Sequence, residues 1–388
     1  MPLKRIEDYP AYLESCWLEH LQPKPENAPT VISTFAGCGG SSLGYSMAGF
    51  MELLAVECDN NAVETFKLNF PKVPVYHGDI AKLSVEECLQ MTGLKPGELD
   101  ILDGSPPCQG FSTAGKRQLD DPRNQLFREY VRLLRGLKPK VFIMENVSGM
   151  VKGVMKLVFV EILKELKASG YKVSARLLNA MYFGVPQSRQ RMIFIGARED
   201  LGIEPSHPEA ETESIPMKNA CPDIDYLILG AHGFDGGRVD NASTETSPVI
   251  MARGMSSYKY YILEGIELER WKHIPEGGNW QDLPKELVNG KAKFSNFHRK
   301  LDPNKPSFTL GKEEHYSSGR FYHWKEPRRL TDEELKAIGS FPTGFAFLGD
   351  GKTVHMRIGN SVPPLFMRSI ARHVKDSILT LNESQNAR

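Results

Sequence analysis

Short apolar runs separated by amphipathic stretches constrain this chain more than any other feature. Between residues 31 and 198 the runs VISTF (31–35), MELLAVE (51–57), VPVYHGDI (73–80), ELDILDGSPP (98–107), KVFIMENV (140–147), YKVSARLLNA (171–180) and RMIFIGAR (191–198) read as strands. Helical patterns fill the gaps: one running to Met47, then NAVETFKLNF, a basic helix from about Asn124 to Leu137, and one from about Val154 to Ser169. Strands alternating with helices at this spacing predict parallel β-α-β units in a doubly wound, mostly parallel sheet, an α/β fold. Right-handed crossovers place the turns after the strands on one edge, where ligands bind.

The regularity stops near Arg198. Residues 199–300 are rich in Gly, Pro and acids and read as an inserted, smaller second domain. Helical signals resume at 330–341 and in a closing helix over 361–379, whose apolar Leu365, Phe366, Ile370, Val374 and Ile378 recur at helical spacing. The expected division is an N-terminal helical extension (1–30, with a helix at about 5–21), a main domain (31–198), a second domain and hinge (199–344), and a C-terminal return to the main domain (345–388).

At 40% hydrophobic and 25% charged, the 388-residue chain is too apolar for a disordered tail. No apolar run is long enough to span a bilayer, and the N-terminus lacks the apolar core of a secretion signal. Six scattered cysteines form neither a CxxC pair nor a metal-ligand spacing, so neither a disulfide framework nor a metal is expected, and a reducing cytoplasm fits. The net charge of zero hides a segregation. Residues 108–198 carry 17 Lys/Arg against 6 Asp/Glu, a net +11, whereas residues 199–250 carry 2 against 11, a net −9. Residues 298–329 return to 8 against 4, a net +4. Basic stretches attract polyanions, nucleic acid above all, although solvated helix faces have the same composition.

The turn after the first strand, Phe35-Ala36-Gly37-Cys38-Gly39-Gly40, allows backbone to approach a ligand closely. A P-loop needs Lys after its last glycine, but Gly44 is followed by Tyr45. A dinucleotide fingerprint needs a third glycine where Ser42 stands. The reading left is a nucleoside ligand without a pyrophosphate. Glu57 ends the second strand, where a carboxylate can accept from ribose hydroxyls, and Asp79 ends the third, within reach of an adenine amino group. A tight turn with two unrelated surface acids is the bland alternative.

The fourth strand ends in Ser105-Pro106-Pro107-Cys108-Gln109-Gly110-Phe111-Ser112. Proline fixes φ, so Cys108 stands on a stiff turn at the sheet edge, with Lys116, Arg117 and Arg123 favouring its thiolate. A lone cysteine is more often a small buried hydrophobe. Glu145 ends the fifth strand, next to the fourth, and makes with Cys108 a candidate pair of nucleophile and general acid. Apolar Met144 and Val147 are expected to keep Glu145 protonated. Gln187, Arg189 and Arg191 alternate ahead of a strand, so they share a face, and two arginines there can clamp a carboxylate, a phosphate or a carbonyl oxygen.

In this order the elements FAGCGG (35–40), ECDNNA (57–62), GDI (78–80), SPPCQGFS (105–112), MENV (144–147), LNAMYFGVPQSRQRMIFIG (178–196), RKLDPNKPSFTL (299–310) and RIGNSVPP (357–364) closely resemble the DNA cytosine-5 methyltransferases, of the prokaryotic or phage type. The resemblance covers about 31–198 and 299–364, and residues 199–298 fall where that family varies its target-recognition region. It implies a Rossmann-like S-adenosylmethionine-dependent methyltransferase fold, with S-adenosylmethionine as methyl donor, S-adenosylhomocysteine as product, and no metal. Phe35, Ala36, Gly37, Gly39, Gly40, Cys58 and Ile80 would shape the cofactor pocket, Glu57 would hold the ribose and Asp79 the adenine edge. Cys58 stands where the family usually has a bulky aromatic. Asn360 and Ser361 would border the methionine end.

The resemblance further implies that Cys108 attacks C6 of the target cytosine, that Glu145 protonates or hydrogen-bonds N3, that Arg191 binds O2, and that Arg189 supports this cluster and nearby phosphates. Residues 109–124 would form a loop closing over DNA, with Gln109, Ser112, Lys116 and Arg123 as DNA contacts. Thiolate addition makes C5 enamine-like and able to attack a sulfonium methyl; loss of the C5 proton then expels Cys108. A stacked base must be flipped out for this. Arg253 and Tyr258, with Ser256, Ser257 and Lys259, are candidate base readers. The expected partner is double-stranded DNA, with a cognate restriction endonuclease in the same system, no membrane, and a monomeric, cytoplasmic protein. An RNA (tRNA) cytosine methyltransferase and a non-catalytic DNA-binding relative stay as alternatives. A nicotinamide oxidoreductase fails on the glycine pattern.

Overall fold

The computed structural model describes residues 2–107, 125–151, 155–221, 262–288, 298–311 and 321–381. Cys108, Gln109, Ser112, Lys116, Arg117 and Arg123, and the base-reader candidates Arg253, Ser256, Ser257, Tyr258 and Lys259, lie outside these residues.

Seven strands form the central sheet: β1 (Thr30–Thr34), β2 (Met51–Glu57), β3 (Val75–His77), β4 (Ile101–Gly104), β5 (Val141–Val147), β6 (Tyr171–Asn179) and β7 (Gln190–Arg198). Their spatial order is β3-β2-β1-β4-β5-β7-β6. All pairings from β3 through β5 are parallel, whereas β7 runs antiparallel to both β5 and β6. The α/β class and the mostly parallel sheet therefore stand. The direction of the sheet's growth reverses between β1 and β4, the switch point at which such sheets bind ligands.

Alternation along the strands explains why the runs are apolar throughout. Val31, Ala55, Ile101, Val141, Ile143 and Ile193 face one way. Ile32, Leu54, Leu102, Phe142, Met144 and Phe194 face the other. Both faces are covered, as parallel sheets require. The first face packs against α1 (Tyr9–Leu21), α2 (Gly40–Met47) and α10 (Pro364–Val374) through Leu13, Leu43, Tyr45, Leu365, Phe366 and Ile370. The second packs against α4 (Val85–Thr92), α5 (Gln125–Leu137) and α6 (Met155–Lys167). In α5 the buried Phe127, Tyr130, Val131, Leu134 and Leu137 follow helical spacing, and its basic residues fall between them.

Helix starts are set by side-chain caps that satisfy otherwise orphaned N–H groups. Asp8 accepts from Ala11 N at 3.0 Å and starts α1 at Tyr9, four residues later than the sequence pattern suggests. Asp59 accepts from Ala62 N at 2.9 Å and starts α3 (Asn60–Asn69). Thr331 and Glu334 form a capping box at α8 (Asp332–Ile338), and Asp350 caps α9 (Gly351–Asn360). Two differences from expectation concern ends. β3 stops at His77, leaving Asp79 as the cap of a 3-10 turn at Ile80–Lys82. The closing α-helix begins at Pro364 and passes into a π-turn at Lys375–Leu379.

A smaller apolar cluster, Leu263, Ile274, Leu283 and Tyr322, forms between α7 (Gly265–His273) and its neighbours. Leu301, Leu310, Leu335, Ile338 and Phe341 join the main core instead. Among the described residues no helix is long and apolar enough to cross a membrane.

Candidate active site

A cleft of about 770 Å³ opens where β1, β2, β4 and β5 end, within the range of small-molecule sites. Phe35, Val56, Glu57, Cys58, Asp79 and Ile80 line one part of it. Ser105, Pro106, Pro107, Glu145, Asn146 and Val147 line the part nearest β4 and β5. Arg191 joins that second part through Glu145, and Arg189, Thr309, Leu310, Gly359 and Asn360 close the remaining side. Of the residues expected around a nucleoside, Ala36, Gly37, Gly39, Gly40 and Ser361 are not among those lining this cleft.

The first turn is shaped by close approach. Phe35 adopts φ +56° and Gly37 φ +57°, so the chain reverses abruptly after β1. Gly39 has φ +98°, and a Cβ there would lie 2.4 Å from the Phe70 ring. Only glycine lets α2 begin at that place. Glu57 ties this turn to the next: its carboxylate accepts from Gly37 N at 2.8 Å, Cys58 N at 2.8 Å and Asp59 N at 2.9 Å. A carboxylate has about four acceptor positions, so capacity remains for a hydroxyl donor. Cys58 presents a thin side chain to the cleft, its thiol pKa raised by burial and by Glu57.

At the other end of the cleft, Arg191 Nε lies 2.7 Å from Glu145 Oε1, with both side chains nearly buried. The surroundings of Glu145 differ from the apolar ones expected. Val147 is exposed, Met144 points into the core on the opposite face of the sheet, and a guanidinium is in contact with the carboxylate. Asn146, unmarked in the sequence reading, donates from Nδ2 to Pro106 O at 3.1 Å and so fastens the Pro-Pro turn ahead of residue 108 to the end of β5. A polar residue next to Glu145 in an apolar strand was the available signal.

Gln187, Arg189 and Arg191 do converge, but on different partners. Gln187 Oε1 accepts from Leu310 N at 3.0 Å, and Arg189 Nη1 donates to Leu310 O at 2.9 Å. Arg189 Nη2 donates to Gly359 O at 3.0 Å and Ser361 O at 2.9 Å. Burial and then the charge of Arg191 pull the Arg189 pKa down to about 9. Arg189 therefore spends both terminal nitrogens on the protein's own carbonyls and acts as a strut, with its buried Nε left without a hydrogen-bond partner; Arg191 is the guanidinium beside the carboxylate. Leu310 and Thr309, which the sequence reading left without a role, are brought to the cleft by this grip.

Asp103, one residue before Gly104 on β4, is a buried acid the sequence reading passed over. Tyr45 donates to its Oδ1 at 3.1 Å, and burial above all raises its pKa to about 8. Burial likewise raises Glu52, which accepts from Ser42 at 2.9 Å, to about 7.

The family model for C-5 cytosine-specific DNA methylases matches residues 29–376. Type II methyltransferase M1.HphI of Haemophilus parahaemolyticus is 34% identical over 370 residues, 92% of this chain and 88% of that protein. Type II methyltransferase M.NgoFVII of Neisseria gonorrhoeae is 31% identical over 359 residues, 90% and 87% of the two chains. Among solved structures, a chain described as a DNA modification methyltransferase encoded within an E. coli prophage has a TM-score of 0.69 at 25% identity, over 91% of this chain and 100% of that one. The S. pombe Dnmt2 methyltransferase shares the fold, with a TM-score of 0.57 at 17% identity over 92% and 100%. The family match spans from the residue before β1 to just past the end of α10, a range that takes in every wall of the cleft, and the chain belongs to the C-5 cytosine-specific DNA methylases.

Proposed function

We propose that this DNA cytosine-5 methyltransferase transfers the methyl group of S-adenosylmethionine to C5 of a cytosine flipped out of a specific duplex sequence, with Cys108 bonded to C6 during the reaction. The observation that carries the reading is the Glu145–Arg191 pair at the head of the cleft, 2.7 Å apart. A carboxyl beside a guanidinium matches the neighbouring N3 and O2 of a cytosine edge.

The walls suit the proposed cofactor. Acids stand at the ends of β2 and just past β3, apolar Phe35 and Ile80 lie beside them, and the Asn360 amide stands across the cleft. When bound, S-adenosylmethionine supplies its methyl group as an electrophile on a positively charged sulfur. Glu57 would then hold the ribose and Asp79 the adenine edge, with Asn360 bordering the amino-acid end. Cys108, which follows in sequence the Pro-Pro turn fastened by Asn146, would add as thiolate to C6. Glu145 would hold the proton at N3, and Arg191 would donate to O2. Arg189 is a positioning residue in this scheme, because its donors grip Leu310, Gly359 and Ser361. Base choice is assigned to the segment 199–298, and the natural setting is a modification system paired with an endonuclease of the same specificity.

The test is bisulfite sequencing of DNA from cells expressing the chain or Cys108→Ala. Protected cytosines at a fixed sequence should appear with the wild type and vanish with the variant. Duplexes carrying 5-fluorocytosine at that sequence should trap a covalent adduct, because fluorine does not leave as the proton does. Protection that survives Cys108→Ala would overturn the assignment. Preferential methylation of tRNA in a side-by-side assay would move the substrate from DNA to RNA.

A further inference from the structure

Arg357 does not line the cleft, yet it joins two of its walls from behind. It lies on α9, is buried, and precedes Gly359 and Asn360 on the opposite wall. Its Nη2 forms an ion pair with Asp59, and its Nε donates to Asn61 Oδ1 at 2.8 Å. Asp59 in turn donates its N–H to Glu57 and caps α3 through its carboxylate. Asn61 donates to Leu348 O at 3.1 Å, so the contact reaches the segment leading into α9.

From the other side, the Arg357 carbonyl accepts from Ser361 Oγ at 2.7 Å and from Ser361 N at 3.1 Å. Ser361 Oγ is 3.2 Å from Cys38 Sγ in the first turn. A closed circuit results: Gly37 to Glu57, Glu57 to Asp59, Asp59 to Arg357, Arg357 to Ser361, and Ser361 to Cys38. Segments some 300 residues apart in sequence thus hold one ring around the cleft, and the only side-chain charge pair in that circuit is Arg357–Asp59.

We infer that Arg357 is a positioning residue for the cofactor: through Asp59 it keeps the wall bearing Glu57 in register with the wall bearing Asn360. The inference rests on the reading of this cleft as the S-adenosylmethionine pocket. Arg357 is buried whereas Asp59 is exposed, so the bond is charge-assisted from one buried side, and losing the carboxylate leaves the buried guanidinium without its charge partner.

The test measures binding of S-adenosylhomocysteine by calorimetry, together with KM for the cofactor, kcat, and DNA affinity. Arg357→Met keeps the volume of the side chain and removes its charge; Asp59→Asn keeps the α3 cap and removes the opposite charge. Each single variant should bind S-adenosylhomocysteine about 10-fold more weakly, and the double variant should be no worse than Arg357→Met, as expected for two residues that act through one contact. Arg357→Lys, which returns a cation to Asp59, should recover most of the loss. In all of them kcat at saturating cofactor and DNA affinity should stay near wild type. Wild-type affinity in Arg357→Met, additive losses in the double variant, or a proportional fall in kcat and DNA binding would each overturn the inference. A wild-type chain that binds DNA but not S-adenosylhomocysteine would instead overturn the reading of the pocket itself.

Discussion

Glu145 and Arg191 meet because β5 and β7 are antiparallel neighbours, with Glu145 opposite Ile193 and Arg191 opposite Val147. Side chains two apart on one strand share a face, so Arg191 reaches diagonally to Glu145. The sequence marks both residues as polar interruptions at the ends of apolar runs, and that much was legible. Their contact was not, because it depends on the sense of β7. The resemblance already gave Arg191 to the base and Arg189 to support; the partners of Arg189 were not legible, because the carbonyls that hold its terminal nitrogens, at residues 310, 359 and 361, lie more than a hundred residues away in the chain. Glu145→Gln tests the pair. It keeps the shape and removes the carboxylate, so single-turnover methyl transfer should fall by about 10²–10⁴-fold, the range for a group handling a proton in the transition state. Binding of the target duplex should persist. A variant that turns over at the wild-type rate would remove Glu145 from the chemistry.

Apolar runs of β-branched and aromatic residues made the strands readable, and each of the seven expected runs is a strand of the sheet. The reversed sense of β7 was not drawn from them, although a reason is present in the sequence. Only ten residues, 180–189, separate β6 from β7, and a parallel return needs a crossover of a dozen or more. Helix α9 escaped notice because its buried residues include His355, Arg357 and Gly359, which hide the apolar stripe that identifies a helix. The β1–α2 turn was legible as glycine-rich, but its reason is packing: the positive φ of Gly39 and the Phe70 ring beside it. Gly39→Ala meets both obstacles at once. We expect a loss of about 1–3 kcal/mol in stability from the backbone strain, seen as a lower melting temperature, and weaker S-adenosylhomocysteine binding. Gly93→Ala serves as the comparison, since its φ of +71° is also positive but nothing lies within 4 Å of its Cβ. If the two variants behave alike, the contact with Phe70 contributes little.

Across the whole molecule, buried titratable groups pull stability in opposite directions with pH. Burial, and then the charge of Lys24, lowers His20 to about 4, and burial with Arg176 lowers His207 to about 4. Unfolded histidines take up protons near 6.5, so these two cost stability as pH falls from about 6.5 towards 4. Asp103 and Glu52 act on the other limb. They stay protonated in the folded chain up to about 8 and about 7, whereas in the unfolded chain they ionise near 4. Their contribution is complete below pH 4 and is lost as pH rises through 7 to 8, at about 1.4 kcal/mol for each unit by which a pKa differs between the two states. Above pH 7 the histidines no longer change, and the acids act in the same direction as thiols such as Cys38 and Cys88, whose pKa burial raises to about 11. Melting temperature in the wild type should therefore fall between pH 7 and about 8. Asp103→Asn keeps an acceptor for Tyr45 without an ionisable proton, and its melting temperature should be flatter over the same interval. An equal slope in both proteins would mean that Asp103 is ionised in the native state. The acid belongs to the element that ends in the Pro-Pro turn of the cleft, so the same variant also shows whether a proton stored beneath that turn bears on catalysis: kcat should lose any pH dependence that follows the melting curve.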